Sequence, residues 1–403
     1  MGRRQLPLLA LLGPGLMVML ADTDAGCVVT AAQSGATWGY RLLVVEALLV
    51  PVLYLVMELA VRLALTTGKG LTELIREHLG PTWTAVAVGT LAVSVLGALV
   101  TEFAGLAGVG ELFGLPPAAV VGVSAAGLVL LVVTGGYRRV EVVGIVLGSL
   151  EFVFVAAAVM AHPDGAALAR GFSPVQPYGD PSFLALVAAN AGAVVMPWML
   201  FYQPTAVLQK GLTVRNLRAA RIDTAIGAVV TQVVMAVVLI AAAASFHGGQ
   251  LRTVGQLARA LQPALGSTAG RIVLALGIGG AALVASIVVS LAASWSVAEA
   301  FGRRCDLDAG VRAQRLFYGA YVAIVAAGAA LVLTSGSFVR LSVDVEILNA
   351  LLLPVLFGIL AVLARRALPA GHRLAPRRRL ALVAAAGPCA AVALVWVGIS
   401  LGF

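Results

Sequence analysis

The sequence predicts an all-α polytopic membrane protein, an inverted repeat of five plus five transmembrane helices with an eleventh helix appended. Three observations carry this prediction. Of 403 residues, 61% are hydrophobic and only 11% charged, whereas soluble domains carry about 25% charged residues. Apolar runs long enough to cross a bilayer recur from end to end. Two of those runs, five spans apart, are interrupted by residues that a lipid-buried helix avoids: Asp22-Thr-Asp-Ala-Gly-Cys27 and Ala193-Val-Val-Met-Pro197.

The apolar runs fall near 8–39, 42–65, 84–110, 117–135, 140–161, 182–208, 222–246, 272–300, 316–334, 341–364 and 380–402. A transmembrane barrel would need short alternating segments, and none appear. No cleavable leader is expected, because the first run continues to about Tyr40 without a small-residue cleavage site. The net charge of +9 is orientation rather than a nucleic-acid footprint. One set of connections holds 21 of the 27 basic residues, among them Arg62, Lys69, Lys210, Arg221 and Arg304. That asymmetry places the N-terminus in the cytoplasm and the C-terminus outside. The three cysteines (Cys27, Cys305, Cys389) are too far apart for a disulfide framework or a zinc motif.

The first span carries Asp22 and Asp24 near its middle, followed by Gly26 and Cys27. A carboxylate at that depth costs roughly 3 kcal/mol on insertion scales, so it belongs in a cavity and works there. After the second span, Thr66 to His78 predicts a short amphipathic cytoplasmic helix capped by Thr67 or Thr72. The third span carries Thr101-Glu102 and leaves through the turn Glu111–Pro117. Gly135-Gly-Tyr-Arg-Arg139 is a tight cytoplasmic turn into the fifth span, which holds Glu141 and Glu151; His162–Pro181 is an external loop. In the sixth span Pro197 removes a backbone donor, so Ala193–Met196 is expected to be kinked or unwound. Carbonyls freed there are tolerated only where protein or a water-filled cavity satisfies them.

Broken helices at corresponding positions of two halves point to a transporter site at the midplane of an inverted repeat. The expected units are residues 1–161 and 182–364, with 380–402 as the additional helix and helices 1 and 6 unwound at the centre. The first break offers hard carboxylate oxygens; the second offers backbone carbonyls and the Met196 thioether. Oxygen suits magnesium and manganese, and soft sulfur favours transition metals. His78, His162, His247 and His372 all fall in connections, against an imidazole-rich zinc or copper site. A buried free cysteine commonly serves as apolar filler, so Cys27 stands as a ligand candidate behind Asp24. Glu46, Glu58, Glu141 and Glu299 lie near span ends, where an arginine partner or snorkelling accounts for them. Asp344, Glu346 and Asn349 border an external vestibule, and Asp223 is a cytoplasmic cap or ion-pair partner.

These residues resemble a family. Gly13-Pro-Gly15, Asp24-Ala-Gly-Cys27, Gln33-Ser-Gly35 and Gly39-Tyr40 are similar to the first span of the Nramp divalent-metal transporters. Ala193-Val-Val-Met-Pro197 is similar to their sixth-span motif, and Thr66-Thr-Gly-Lys69 and Arg221-Ile-Asp-Thr224 fit as well. The resemblance implies a LeuT-like fold with the ion held between the broken parts of spans one and six. By position it makes Asp24 the carboxylate ligand, Ala193 a carbonyl ligand and Met196 the thioether ligand. There are departures. The family's asparagine is Cys27 and its proline Ala25, Trp198 and Gln203 replace its sixth-span histidines, its third-span acidic pair reads Glu102 and Gly105, and Asp22 is an additional acid. That combination looks most like the Nramp-related magnesium-transporter branch, whose pocket the resemblance implies to be wider, suited to a partly hydrated ion and not proton-coupled.

The expected function is therefore divalent-cation transport, of magnesium, manganese or both, by alternating access and without proton coupling. The metal site is Asp24, Ala193, Met196, Cys27 and Asp22, with Glu102, Gln203, Trp198 and Asn349 along the ion pathway. Two alternatives stand beside it: a proton-coupled manganese or iron importer, and a metal sensor or organic-solute carrier on the same fold. No enzyme is expected, since no nucleophile–base pair or nucleotide loop is present. No cofactor is expected beyond the transported cation. The only partners are that cation and the lipid bilayer of the plasma membrane, with no nucleic acid and no obligate protein.

Overall fold

A computed structural model describes residues 13–246, 251, 253–258, 266–334, 338–375 and 380. The eleventh span, the first residues of the first span, His247, Cys389 and the arginines at 3, 4, 252, 259 and 377–379 lie outside the described residues. The described chain is helical, and nine of its helical stretches are long and apolar enough to cross a membrane.

The first span is two helices, α1 (Pro14–Asp22) and α2 (Ala25–Trp38). The interruption is Thr23–Asp24, slightly ahead of the expected position; Gly26 and Cys27 are already in the first turn of α2. A 3-10 turn, Gly39–Leu42, leads into α3 (Leu43–Thr67), which ends at Gly68 in the left-handed conformation. The amphipathic helix is α4 (Leu71–Leu79), and its N-cap is Gly70, with no side-chain cap of its own. The expected threonine caps are not used: Thr67 bonds back to the Leu63 carbonyl at 2.6 Å, and Thr72 is buried inside the first turn. The missing cap comes from another helix, because the Glu299 carboxylate accepts the Glu73 amide at 3.3 Å.

α5 (Pro81–Glu111), α6 (Pro117–Thr134), α7 (Tyr137–Ser149) and α8 (Val153–Met160) follow, with a 3-10 turn at Leu150–Phe152. The external loop contains a short helix, α9 (Gly165–Gly171). The sixth span is again two helices, α10 (Pro181–Val194) and α11 (Pro197–Gln209), interrupted at Val195–Met196. α12 (Leu217–Ser245), α13 (Ser267–Ala300), α14 (Arg315–Val332) and α15 (Phe338–Arg366) complete the bundle.

The bundle has an inside and an outside. α11 and α13 lie at its centre, and the apolar window of the α10–α11 stretch is 83% buried, against 17% for α6. α6 leaves Val123 and Leu130 mostly exposed, as a helix facing lipid would. α12 packs along α1, α2 and α3, while α15 packs on α10, α5 and α2. Glycine sets the α10–α15 approach: a Cβ on Gly192 would overlap the Glu346 carbonyl. Small residues at such crossings let helix backbones come close inside a membrane.

Apart from Arg340 and Asp344, 3.8 Å apart in α15, the ion pairs among the described residues gather at the arginine-rich end. Glu58, 2% exposed, accepts from Arg62 and from Arg221, each at 2.6 Å, while Arg62 also donates to the His372 carbonyl at 3.1 Å. Lys210 pairs with Glu141 at 2.9 Å and Arg304 with Glu73 at 2.9 Å. The arginine partner expected for Glu58 is present, in duplicate. Glu299 is instead held by the Thr205 hydroxyl at 2.9 Å and the Glu73 amide.

Candidate metal centre

The site grows out of the two helix interruptions. Asp24 is extended (φ −64°, ψ 174°) and caps α2 by accepting the Cys27 amide at 2.7 Å through Oδ1. Aspartate is a favoured N-cap because its carboxylate satisfies an otherwise orphaned amide, and the helix dipole stabilises its negative charge. One carboxylate oxygen is committed to this cap. The other, Oδ2, is buried without a hydrogen-bond partner. An open, buried carboxylate oxygen at a helix start is a donor waiting for a cation.

The second interruption has a backbone cause. In an unbroken helix the Ala193 carbonyl would accept from the amide four residues on, but that residue is Pro197, which has none. Met196 is extended as the N-cap of α11, and Pro197 occupies the first helical position, where its fixed φ fits. The freed Ala193 carbonyl instead accepts the Cys27 thiol at 3.3 Å. Cys27 thus joins the two broken helices.

The third contribution comes from α15. Asp24, Cys27 and Glu346 present one ligand atom each within 4.8 Å of one another, all three side chains buried. Glu346 Oε1 lies 3.9 Å from Cys27 Sγ. Its other oxygen accepts Asn349 Nδ2 at 3.0 Å, and Asn349 Oδ1 accepts the Ser94 hydroxyl of α5 at 2.8 Å. The chain Ser94–Asn349–Glu346 orients the carboxylate, as outer partners commonly do for metal ligands. Asn349, expected along the ion pathway, holds a ligand candidate in place.

Glu346 is the residue that the sequence left at the edge of a vestibule. The apolar run was expected to start near residue 341, which put Glu346 within two turns of its start. The helix begins at Phe338 and carries Glu346 two turns inward, 1% exposed. The available signal was the Glu346/Asn349 pair, three residues apart on one helix face.

The remaining candidates distribute as follows. Met196 is fully buried, and its sulfur takes a hydrogen bond from Trp198 Nε1 at 3.3 Å. Gln203 donates to Thr224 of α12 at 2.9 Å. Glu102 accepts the Ala25 amide at 3.1 Å, so α2 is capped by two carboxylates. Asp22 turns toward α12, where the Thr231 hydroxyl lies 3.5 Å from Oδ2, and its Oδ1 is buried without a partner. It is not one of the three residues that converge. Between Asp22 and Asp24, Thr23 bonds to Glu151 of the fifth span. Asp22, Asp24, Glu102, Glu151 and Glu346 thus place five buried carboxyl groups around one helix break. Unneutralised, so many buried charges would cost several kcal/mol apiece, a cost that a divalent cation bound there would offset.

The comparisons with known proteins agree on the lineage. Residues 15–398 match the family model described as natural resistance-associated macrophage protein-like, Nramp. The chain is 31% identical over 299 residues to the divalent metal cation transporter MntH of Brucella suis, covering 70% of this chain and 65% of that protein. It is 32% identical over 304 residues to the MntH of Yersinia pestis, covering 70% and 71%. The fold is similar to that of a manganese transporter from Eremococcus coleocola, with a TM-score of 0.77 at 19% identity over 98% of this chain and 88% of that one. It is also similar to MhsT in complex with L-phenylalanine, with a TM-score of 0.64 at 14% identity over 98% and 99% of the two chains.

Proposed function

The chain belongs to the Nramp family, and on that premise we propose that it carries divalent cations, Mg2+ and Mn2+, across the membrane by alternating access. The observation that carries this reading is the convergence of Asp24, Cys27 and Glu346 at the first break, beside the Ala193 carbonyl freed by Pro197. The cation is the cargo, and no covalent chemistry is involved. Asp24 Oδ2, Glu346 Oε1 and the Ala193 carbonyl supply hard oxygens, and Met196 and Cys27 supply sulfur. Asp22 contributes charge from the α12 side, through retained water.

The donor set supports magnesium together with manganese. Two carboxylates and a carbonyl suit a hard ion that dehydrates reluctantly. Cys27 donates its proton to the Ala193 carbonyl, so it stands as a thiol and not as the thiolate that selects soft metals. The lack of histidine at positions 198 and 203 supports flux without proton coupling, because the side chain that titrates most readily near neutral pH is missing from that face. Residues 1–161 and 182–364 act as the two inverted repeats, rocking around the breaks, with the N-terminus cytoplasmic.

A second reading rests on a different observation. Glu102 and Glu151 lie within one hydrogen bond of the residues flanking Asp24, and the relatives are named as divalent metal cation transporters. A proton-coupled manganese or iron importer would use such carboxylates as a relay. Uptake into proteoliposomes, competed among Mg2+, Mn2+ and Ca2+ at two pH values with a lumenal pH dye, separates the two. The proposed reading requires Mg2+ and Mn2+ to compete at similar concentrations with no lumenal acidification. Manganese-selective uptake with acidification would establish the second.

A further inference from the structure

At the far end of α1 from the metal centre, one side chain holds the helix to its neighbour. α1 has no cap of its own: its N-cap is Gly13, and Pro14 at the first helical position has no amide. The remaining orphan donors turn to a single carboxylate on α12. Asp223 accepts the Gly15 amide at 2.7 Å, the Leu16 amide at 3.2 Å and the Gly13 amide at 3.3 Å. Asp223 is 4% exposed. The Gly13 φ of 148° is open to glycine and closed to other residues. It turns the Gly13 amide toward the carboxylate.

The position gives this cap a mechanical meaning. α1 is nine residues long, ends at the Thr23–Asp24 break and begins at Asp223. One end thus adjoins the candidate cation site and the other is held by Asp223 at the arginine-rich end. Along its length α1 also packs on α7, α11, α12 and α13, and the Asp223 carboxylate adds the hydrogen bonds at its starting end. Lys210 and Glu141 pair beside Gly13, close enough that a Cβ there would meet both. Gly15 leaves no room for a side chain, since a Cβ would lie 2.7 Å from Asp223 Oδ2. Hydrogen bonds to a charged group contribute more than neutral ones, and here three converge on one carboxylate.

We propose that Asp223 is a positioning residue for transport: a latch that keeps α1 closed across the inner end of the cation site and releases it when the ion leaves on that side. Asp223 does not touch the ion; it acts through α1. The proposal rests on the alternating-access reading, and its test is read without flux. Hydrogen exchange, followed by mass spectrometry on the full purified chain, reports the opening of the Gly15 and Leu16 amides directly. Asp223→Asn removes the charge but keeps the shape, and should speed exchange in the peptide spanning residues 13–22 by about tenfold. Asp223→Glu, which restores the carboxylate, should return it to within about threefold of the parent. Peptides from α13 should be unchanged in both variants. Gly15→Ala pushes the carboxylate away from the α1 side and should reproduce the Asp223→Asn pattern, so the test survives if one variant does not fold. Parent-like exchange in Asp223→Asn and Gly15→Ala would overturn the latch. So would acceleration that spreads equally to α13, which marks general loosening. A parent protein that moves no cation yet shows the local pattern would overturn the transport reading and the latch with it, leaving Asp223 as a structural cap of α1.

Discussion

Asp24 and Glu346 stand 322 positions apart in the chain, yet each brings a carboxylate oxygen to within 4.8 Å of the other and of Cys27. Two ionised carboxylates at that separation repel strongly in a low-dielectric interior, and under the proposed reading a divalent cation between them would remove the repulsion. Glu346→Gln keeps the bond to Asn349 possible and removes one charge. Its uptake KM for Mg2+ and Mn2+ should rise roughly 10- to 100-fold, the range seen when groups supporting a metal site are lost. Asp24→Ala should abolish saturable uptake. Parent-like KM in Glu346→Gln would remove Glu346 from the site.

Cys27 offers a selectivity test. Its thiol bridges to the Ala193 carbonyl at 3.3 Å and faces Glu346. Cys27→Ser keeps a donor for that carbonyl and exchanges a soft atom for a hard one. Inhibition of Mg2+ uptake by Cd2+ should weaken by about tenfold while the Mg2+ KM stays near its parent value, because Cd2+ can displace the thiol proton and take the thiolate, a soft ligand that serine cannot supply. If Cd2+ inhibits the serine variant as well as the parent, sulfur at position 27 does not contact the ion.

Most of this architecture was legible in the sequence, and what was not has identifiable physical causes. The ten apolar runs that fall on described residues all contain helix, because in a membrane hydrophobicity and length nearly determine the helix. Pro197 announced the second break, since a missing amide is a property of the residue itself. Four details needed tertiary structure. The break at Thr23–Asp24 depends on Asp24 capping α2, which the neighbouring glycine at 26 obscured. The cap of α4 comes from Glu299, 226 positions away from the Glu73 amide it receives, and no local pattern contains that pairing. Glu346 was expected to border an external vestibule in a span starting near 341, whereas the helix starts at Phe338 and buries it. Asp223 was expected to be a cap or an ion-pair partner. It is a cap, but for α1 and not for its own helix.

Gly192 carries a packing prediction. A Cβ there would overlap the Glu346 carbonyl, so Gly192→Ala must push α10 from α15. Overpacking of this kind costs about 1–3 kcal/mol, and here it also shifts Glu346 relative to Ala193. The variant should lower the melting temperature in detergent and weaken Mn2+ binding measured by calorimetry. A loss of stability with full cation affinity would separate the packing role from the site.

The last prediction concerns the buried charges at the arginine-rich end. Glu58 and Arg62 are 2% and 5% exposed, and Arg221 shares the same Glu58 oxygen. Replacing Glu58 with alanine leaves the Arg62 guanidinium buried with only the His372 carbonyl to receive it. Removing one partner of a buried pair destabilises by about 3–5 kcal/mol, more than the pair itself contributes. Glu58→Gln should cost less, because it keeps an acceptor for both arginines. Arg62→Met, which fills the same space without a charge, should partly rescue Glu58→Ala. Thermal unfolding of the three variants and the double variant tests this order. Additive losses in the Glu58→Ala/Arg62→Met pair would mean that the two residues do not interact, and that the cluster's stability comes from Arg221 alone.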